Sequence, residues 1–311
     1  MSDTNTMQVV EATRIGGPEV LRPARRPIPQ PAPTEVLVRV RAAAINPVDW
    51  KTRSGSGMAG VLGPAPWVLG WDVAGEVVAV GFGVTRFAVG DRVLGMPHFH
   101  REAGGYGEYV AAPSLQFARI PDGVDDAAAA GLPLAGLTAL QSFRAAGLEK
   151  GQRVLVHAAA GGVGHLAVQL AKARGAYVIG TASAAKHAFV EELGADEVID
   201  YRERPFEEQV RDVDIVLDTI GGTNTRRSAR VLRPGGVLVD IPGGDVPDDA
   251  AVRVIRPLVE PDGAGLDELV ALMATGELRV HVAETAPLAE VARLHELGEQ
   301  GRTTGKLVLT L

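Results

Sequence analysis

Short strand-like segments separated by glycine and proline characterise the chain from Val9 to about Pro121. Val36–Val40 alternates apolar and polar positions and is rich in β-branched residues, which predicts a strand. Val73–Val80 predicts a second strand, and Gly90–Gly95 predicts a turn that leads into a third. Strands at this spacing, with this much turn chemistry, predict a small β-barrel-like domain.

Helical and apolar extended segments alternate from Asp122 to about Arg279. Near-continuous apolar strands between helices predict a parallel sheet covered on both faces. A sixth strand is predicted at Val252–Val259, where Pro257 favours an edge position. Near the end of the chain, Lys306–Leu309 resembles the strand-like segments of the N-terminal part, and it predicts a further strand. The five apolar strands are predicted at Val154–His157, Tyr177–Thr181, Glu197–Ile199, Ile215–Asp218 and Val237–Ile241.

Composition narrows the possible partners and compartment. The formal net charge of −7 argues against binding to nucleic acid or an anionic membrane, both of which need a basic face. No cysteine is present, so disulfides and thiolate-ligated zinc are excluded. Met1–Gln8 is polar, and no run approaches the roughly 18 apolar residues of a membrane span. We therefore expect a cytoplasmic protein.

The most informative motif is the turn Ala159–Gly164, which follows an apolar strand and precedes a predicted helix at Val163–Arg174. This is a dinucleotide-binding fingerprint with alanine at the first glycine position. Gly161 would let backbone N–H groups approach a pyrophosphate, and Gly164 would let the helix pack closely. A purely structural turn is the alternative. The residues predicted to contact the cofactor are Ala160, Gly161, Gly162, Val163 and Gly164.

The end of the next strand bears on which dinucleotide binds. NAD-binding units usually place a carboxylate about 20 residues after the glycines, on the ribose 2′-hydroxyl. Here the strand ends in Gly180–Lys186, which supplies two hydroxyls and a cation from Thr181, Ser183 and Lys186. These groups suit a 2′-phosphate and predict NADPH. The alternative is a solvated helix start capped by Ser183.

Several further motifs carry a family resemblance over nearly the whole chain. The sequence resembles the zinc-free quinone oxidoreductase branch, similar to zeta-crystallin, of the medium-chain dehydrogenase/reductase superfamily. The segments that carry it are Ala44–Asp49, Gly70–Gly75, Gly90–Val93, the glycine turn, Leu193–Asp196 with Tyr201, and Thr303–Leu309.

The resemblance implies an α/β fold in which a Rossmann cofactor domain is inserted into a GroES-like β-barrel catalytic domain. The implied domains are 1–122, the GroES-like part; 123–280, the Rossmann part; and 281–311, a return to the catalytic domain. The cofactor is expected in the cleft between them. A homodimer is expected through the sheet edge near Val252–Val259, since pairing removes an uncovered edge.

The resemblance also implies cofactor contacts. Lys186 and Tyr201 match positions around the adenosine 2′-phosphate, and Asn46 matches the cleft residue beside the nicotinamide ring. Positions that match contacts to the nicotinamide half are Thr138, Thr219, Ile241, Pro242 and Gly243.

Zinc-dependent relatives differ from this chain at two places. They carry a cysteine at or beside Asn46, and a Gly-His-Glu motif where this chain has Gly70-Trp71-Asp72. A catalytic zinc needs about three protein ligands. A metal site at His98, His100 and Glu102 is the alternative to an exposed loop, which we favour. No metal is therefore predicted.

The predicted reaction is hydride transfer from NADPH to a quinone or an activated C=C bond. Without zinc as a Lewis acid, a conjugated acceptor is favoured because its negative charge delocalises. Asn46 and Lys51 are candidate donors to the carbonyl oxygen. Asp49 is expected to hold its loop, and Tyr106 is a further residue that could reach the cleft.

Two other functions remain open at this point. One is a pathway-specific enoyl reductase, which differs only in substrate. The other is a non-catalytic, crystallin-like protein that binds NADPH. The stretch after Asp245 is short and resembles the enone or alkenal reductases and the reticulon-interacting-protein-like reductases. The expected substrate is a small conjugated carbonyl compound or quinone.

Overall fold

The computed structural model describes residues 5–246 and 251–311. Within it the chain divides into two compact units. The first unit comprises the residues up to Leu137 together with Glu260–Leu311, and the second comprises Thr138–Val259. The short segment after Asp245 and the polar start of the chain lie partly outside the described residues.

The strands are numbered in chain order. They are β1 Thr6–Ala12, β2 Leu21–Pro27, β3 Glu35–Ile45, β4 Trp67–Val68, β5 Asp72–Val80, β6 Arg92–Gly95, β7 Tyr109–Pro113, β8 Phe117–Arg119, β9 Arg153–Val156, β10 Tyr177–Ala182, β11 Glu197–Asp200, β12 Val213–Asp218, β13 Leu232–Asp240, β14 Arg253–Ile255, β15 Val282–Pro287 and β16 Lys306–Thr310.

The helices are numbered in the same way. They are α1 Pro47–Arg53, α2 Ala59–Leu62, α3 Asp126–Gly131, α4 Pro133–Ala146, α5 Gly164–Ala173, α6 His187–Glu192, α7 Thr223–Ala229, α8 Gly263–Ala274 and α9 Val291–Glu299.

Two sheets make up the strand framework of the first unit. The larger has the order β15-β16-β3-β5-β6-β8, with β7 also paired to β3, and the smaller has the order β2-β1-β4. The late strand β16 lies antiparallel to β3, so that Leu307 pairs with Ile45 and Thr310 with Ala42. The predicted return of the chain to the first domain is therefore seen directly in the strand pairing.

The second unit contains a six-stranded parallel sheet with the order β11-β10-β9-β12-β13-β14. Counted from β9, this is the order 3-2-1-4-5-6 of the Rossmann fold. Apolar side chains from the central strands fill its core, among them Leu155, Ile179, Val216 and Leu238, all fully buried. The predicted parallel sheet is confirmed.

The predicted elements differ from the observed ones mainly in length. The five apolar strands and the helix after the turn are confirmed within a few residues, except that β13 begins earlier, at Leu232. The sixth strand is shorter than predicted, because β14 ends at Ile255, before Pro257. Proline has no N–H to continue a ladder of strand hydrogen bonds.

The compact units divide the chain at 137/138 and 259/260, whereas the sequence suggests 122/123 and 280/281. Helices α3 and α8 account for the difference, since both belong to the first unit. The start of α8 lies so close to the turn before β8 that a methyl group at Gly263 would overlap the carbonyl of Leu115. Within the described ranges, no helix is long and apolar enough to cross a bilayer.

Candidate cofactor site and buried polar centre

The connections of the second unit change direction between β9 and β12. From β9 the chain moves outward through β10 to β11, and from β12 it moves the other way through β13 to β14. In open α/β sheets, ligands bind outside the carboxyl ends of the strands at such a switch point. The loops after β9, β10, β12 and β13 are therefore the candidate cofactor site.

The glycine turn has little space inside it. Ala158 adopts a left-handed conformation with φ 47°, and the Gly161 N–H donates to its carbonyl at 2.8 Å. A methyl group at Gly164 would overlap that carbonyl and lie 2.9 Å from Cα of Ala159. Gly164 is predicted to let the helix pack closely on the strand, whereas in the structure its close contact is with the turn, at Ala158 and Ala159.

The turn also differs in exposure from one residue to the next. Ala160 is nearly buried, whereas Gly161, Gly162 and Val163 are partly exposed at the start of α5. The free N–H groups and dipole of a helix N-terminus favour an anion there. The exposed part of the turn is therefore the part that can meet a pyrophosphate.

The loop after β10 gathers cationic and hydroxyl groups. Ser183 and Lys186 are partly exposed, and Tyr201 is 45 % exposed just after β11. Burial, and then the nearby Arg202 guanidinium, lowers the pKa of Lys186. The Arg202 guanidinium lies 5.7 Å from the centroid of the Tyr201 ring. Two neighbouring cations beside exposed polar groups suit a phosphate.

Asp200 is a carboxylate near this loop that sequence reasoning missed. Its two oxygens accept hydrogen bonds from the N–H groups of Ala184, at 3.0 Å, and Arg202, at 2.8 Å. These backbone bonds, with Arg202 first, lower the pKa of Asp200. The carboxylate therefore ties the ends of β10 and β11 together. Only the strand order could have indicated its position, because it comes from the neighbouring strand.

Thr181 lies under the turn rather than on its surface. The side chain is 1 % exposed, and its hydroxyl oxygen accepts a hydrogen bond from Ala158 N at 3.2 Å and lies 3.2 Å from Nδ1 of His157. These contacts support the shape of the turn. Ser183 is the more accessible of the two hydroxyls.

The loops after β12 and β13 are joined to each other. Oδ1 of Asp218 accepts from Ile220 N at 2.8 Å, and Oδ1 of Asp240 accepts from Gly243 N at 3.1 Å. Gly222 N donates to the carbonyl of Gly243 at 3.2 Å. The predicted positions Thr219 and Ile241–Gly243 therefore lie in adjacent, connected loops. Thr138, in α4, is nearly buried within the same unit.

Asn46 belongs to a buried polar centre in the first unit. Its Nδ2 donates to Asp72 at 2.9 Å, and Nζ of Lys306 donates to its Oδ1 at 2.5 Å and to Asp72 at 3.4 Å. The other oxygen of Asp72 accepts from Leu134 N at 2.7 Å. All three side chains are at most 3 % exposed. The Asn46 amide is therefore held on both sides.

Lys51 has a different environment. It lies on the exposed side of α1, whereas Asn46, which precedes this helix, is buried. The structure does not bring these two side chains together. The sequence does not indicate that Lys306 belongs to the polar centre. Its segment, Thr303–Leu309, supports the family resemblance but gives no sign of a contact with Asn46.

A second chain of hydrogen bonds begins at Asp49. One of its oxygens accepts from Asn46 N at 2.6 Å, so its predicted loop-holding role is confirmed. Burial raises the pKa of Asp49 to about 7, and the nearby Asp72 acts in the same direction. The hydroxyl of Tyr106 also faces this carboxyl group. Tyr106 is fully buried, so the suggestion that it reaches an open cleft is wrong.

His295 connects Tyr106 to a buried arginine. Nε2 of His295 lies 3.0 Å from the Tyr106 hydroxyl, and Nδ1 lies 3.2 Å from Nη1 of Arg53. Burial and the Arg53 charge lower the pKa of His295 to about 3. Because a guanidinium can only donate, Nδ1 is the acceptor and Nε2 carries the proton. Arg53 also pairs with Glu299.

The residues weighed as a metal site have structural partners. Nε2 of His98 lies 2.9 Å from the carbonyl of Ala111, and Glu102 accepts from Val68 N at 2.9 Å. Among residues 5–246 and 251–311, no group of three or more histidines and carboxylates is arranged to hold a metal ion. Trp71 is buried, with its indole N–H on the carbonyl of Arg101 at 2.7 Å.

The Rossmann sheet and its glycine turn define a domain that binds a pyridine nucleotide. Two family models match the chain, the alcohol dehydrogenase GroES-like domain at residues 32–122 and the zinc-binding dehydrogenase domain at residues 193–309. A chloroplast envelope quinone oxidoreductase homolog from Arabidopsis thaliana is 35 % identical, over 94 % of this chain and 95 % of that protein.

Two further comparisons bear on the cofactor and the substrate class. A 2-methylene-furan-3-one reductase from Solanum lycopersicum is 33 % identical, over 99 % of this chain and 80 % of that protein. A mycobacterial protein solved in complex with NADPH is 34 % identical with a TM-score of 0.87, and the match covers 98 % of this chain and 100 % of the other. This chain belongs to the quinone oxidoreductase branch of the medium-chain dehydrogenase/reductase superfamily.

Proposed function

We propose that this protein is an NADPH-dependent reductase that transfers hydride, without zinc, to a quinone or to the activated C=C bond of an enone or alkenal. The observation that carries the cofactor assignment is the group of charged residues just after β10 and at the end of β11. There Lys186 and Arg202 lie near each other, while the oxygens of Asp200 accept backbone N–H groups. That carboxylate therefore ties two loops together, and the two cations supply positive charge that would attract a 2′-phosphate.

The loops at this edge of the second unit would each bind a different part of the dinucleotide, and the order of the strands decides which loop meets which part. Gly161, Gly162 and Val163 would meet the pyrophosphate, since they are the partly exposed residues of the turn. Ser183, Lys186 and Tyr201 would surround the 2′-phosphate. Ala160, Gly164 and Thr181 shape the turn. The remaining candidates, Thr138, Thr219, Ile241, Pro242 and Gly243, would meet the nicotinamide half. NADPH supplies the hydride, and the protein supplies orientation and electrostatics.

The chemistry of the first unit favours a conjugated acceptor. The chain has no cysteine, and Trp71 stands where zinc-dependent relatives have a histidine ligand. A quinone or enone delocalises the charge that arrives with the hydride, so a single hydrogen-bond donor assists the reaction. The Solanum relative, named as a 2-methylene-furan-3-one reductase, supports this substrate class.

Asn46 is the proposed donor, because a side-chain amide has two N–H groups and only one is given to Asp72. The hydrogen bond from Lys306 to Oδ1 fixes which way the amide faces. Lys51 remains a proposed second donor, acting from its exposed position on α1. We also propose a cytoplasmic homodimer that pairs through β14, the last strand of the parallel sheet.

Binding and turnover test the proposal separately. NADPH and NADH are titrated by fluorescence, and NADPH oxidation is followed with a panel of quinones, enones and enoyl thioesters. We expect NADPH to bind at least ten times more tightly than NADH, and turnover with quinones or enones. Turnover of thioesters alone would favour the enoyl reductase. Tight binding without turnover would favour the non-catalytic protein, and one zinc per chain in untagged enzyme would contradict the zinc-free mechanism.

A further inference from the structure

His157 lies beneath the loops of the candidate cofactor site, and both nitrogens of its ring face protein hydroxyl groups. It follows β9, and its side chain is 1 % exposed. Both ring nitrogens have hydroxyl partners, with Nδ1 3.2 Å from Oγ1 of Thr181 and Nε2 3.0 Å from Oγ of Ser228. The ring also lies edge-on to Phe206, at 4.5 Å between centroids. One imidazole therefore connects β10 to α7.

On the Nδ1 side, the contacts lead to the glycine turn and the phosphate loop. The Thr181 hydroxyl that meets the imidazole also accepts the N–H of Ala158, at 3.2 Å. Thr181 precedes Ser183 by two positions on the same strand end. A change in the Thr181 side chain would therefore shift both segments that the adenosine half of a dinucleotide needs.

On the Nε2 side, the contacts lead to the loop after β12. Nδ2 of Asn224 lies 3.4 Å from Oγ of Ser228 and donates to Oδ1 of Asp218 at 3.1 Å. The same carboxylate oxygen accepts the N–H groups of Ile220, at 2.8 Å, and Gly221, at 3.1 Å. Ser228 therefore reaches, through two side chains, the backbone beside Thr219.

The main chain of His157 makes the same connection. Its N–H donates to the carbonyl of Leu217 at 3.0 Å, and its carbonyl accepts the Thr219 hydroxyl at 3.1 Å. His157 thus meets the loop after β12 by a direct contact and by the longer route through Ser228.

The protonation state of the imidazole links the two sides. Burial lowers the pKa of His157 to about 4, and the nearby Asp218 acts in the opposite direction, so the ring is neutral near pH 7. A neutral imidazole donates from one nitrogen and accepts at the other. If the Thr181 hydroxyl donates to Nδ1, the proton is on Nε2, which then donates to Ser228. If Ser228 donates to Nε2 instead, the proton is on Nδ1, which then donates to Thr181. The direction of one hydrogen bond therefore determines the direction of the other.

We propose that His157 is a positioning residue that couples the adenosine-phosphate side of the site, at the glycine turn and the end of β10, to the nicotinamide side, at the loop after β12. This inference rests on the proposed NADPH-binding function and adds to it. A 2′-phosphate would then contribute to the rate of hydride transfer as well as to affinity, because order at one loop is transmitted to the other.

A double-mutant cycle in NADPH binding tests the coupling, since Thr181 and Ser228 are connected through the His157 ring. We expect Thr181→Val and Ser228→Ala each to weaken NADPH binding, and the double variant to differ at least threefold from the product of the single effects. Distant, independent sites combine nearly additively. Additive effects would overturn the coupling, whereas a wild-type protein that fails to bind NADPH would overturn the proposed function and the inference together.

Two substitutions at His157 separate positioning from general support of the fold. The amide of His157→Asn reaches about as far as Nδ1, and the amide of His157→Gln about as far as Nε2. We expect His157→Asn to keep the inhibition constant of 2′,5′-ADP within twofold while kcat falls at least fivefold. His157→Gln should raise that inhibition constant at least fivefold. Equal losses of both parameters in both variants, in proportion to the fall in Tm, would contradict the positioning role.

Discussion

The ammonium group of Lys306 donates to the side-chain oxygen of Asn46 at 2.5 Å, although 260 positions separate the two residues in the chain. The contact arises because β16 pairs with β3, which places the start of the last strand beside the end of the third. The same ammonium group is also the cation that faces the buried Asp72. One lysine therefore orients the proposed donor and balances a buried charge.

Removing that ammonium group should destabilise the protein. Lys306→Met leaves Asp72 buried without its cation, and breaking a buried pair at one partner costs about 3–5 kcal/mol. Urea unfolding measures the loss. Lys51→Met, at an exposed lysine, should change stability by less than about 0.5 kcal/mol. Adding Asp72→Asn should restore part of the loss, and equal stability of Lys306→Met and wild type would refute the assigned balance of charge.

Stability should depend on pH through Asp49. Its pKa is about 7 in the folded protein, against an ordinary value of 3.8. Between these values the folded state holds the extra proton, so Asp49 lowers stability as pH rises, by about 1.4 kcal/mol per pH unit. Asp49→Asn, which stays neutral, should therefore gain stability relative to wild type from pH 4 to pH 7.

The two buried histidines also make stability depend on pH, but in the opposite direction, since they lower stability as pH falls. The pKa values of His157 and His295 fall from 6.5 to about 4 and about 3, so the unfolded chain takes up their protons first as pH falls below 6.5. Only the difference between wild type and Asp49→Asn isolates the carboxyl group. Asp122→Asn, at an exposed position, is the control, and a pH-independent difference for Asp49→Asn would show that this carboxyl stays ionised.

A single methyl group in the glycine turn should abolish cofactor binding. In Gly164→Ala the new carbon would overlap the carbonyl of Ala158, a backbone atom that cannot swing aside. We expect at least a 50-fold rise in the Kd for NADPH, measured by fluorescence titration. Gly60→Ala in α2, where nothing lies within 4 Å of the added carbon, should bind like wild type. Unchanged affinity in Gly164→Ala would mean that the turn is not the binding element.

The cations that follow β10 and β11, Lys186 and Arg202, should determine the preference for NADPH. A charge-assisted hydrogen bond contributes about 1.5–3 kcal/mol, so Lys186→Ala should raise the Kd for NADPH about tenfold or more. Arg202→Ala, at a more exposed position, should have a smaller effect in the same direction. Neither change should alter the Kd for NADH by more than twofold.

The exposed Lys150 gives a matched control for these two variants, since Lys150→Ala removes a cation from the same unit. Its Kd values for both nucleotides should equal those of wild type. If Lys186→Ala weakened NADPH and NADH equally, the lysine would act on a part common to both, and the assignment of the 2′-phosphate would fail.

The fold could largely be predicted from sequence because its signals are local. The apolar runs that become β9, β10 and β12 are each read within a few neighbouring residues, and so is the turn before Gly164. The length of β14 was overestimated because the apolar pattern continues past the point where Pro257 stops the pairing.

The polar contacts could not be predicted in the same way. Asp200 reaches Ala184 only because β11 lies next to β10, and Lys306 reaches Asn46 only because β16 lies next to β3. Tyr106 was misplaced for a similar reason, since the glycines around it gave no sign that its hydroxyl meets His295 in the interior. Pairings of this kind depend on strand order, which the residues involved do not encode locally.

The separation of Asp72 from Lys306 has a consequence for the order in which the chain is synthesised. Asp72 emerges from the ribosome 234 residues before the lysine that faces it. Burial raises the pKa of Asp72 even in the complete fold, and the Lys306 ammonium group acts against that rise. Until β16 arrives, the first sheet lacks both a strand and this opposing cation. The nascent unit must therefore keep that carboxyl group in water or protonated, and the polar centre around Asn46 forms only when the late strand has joined the sheet.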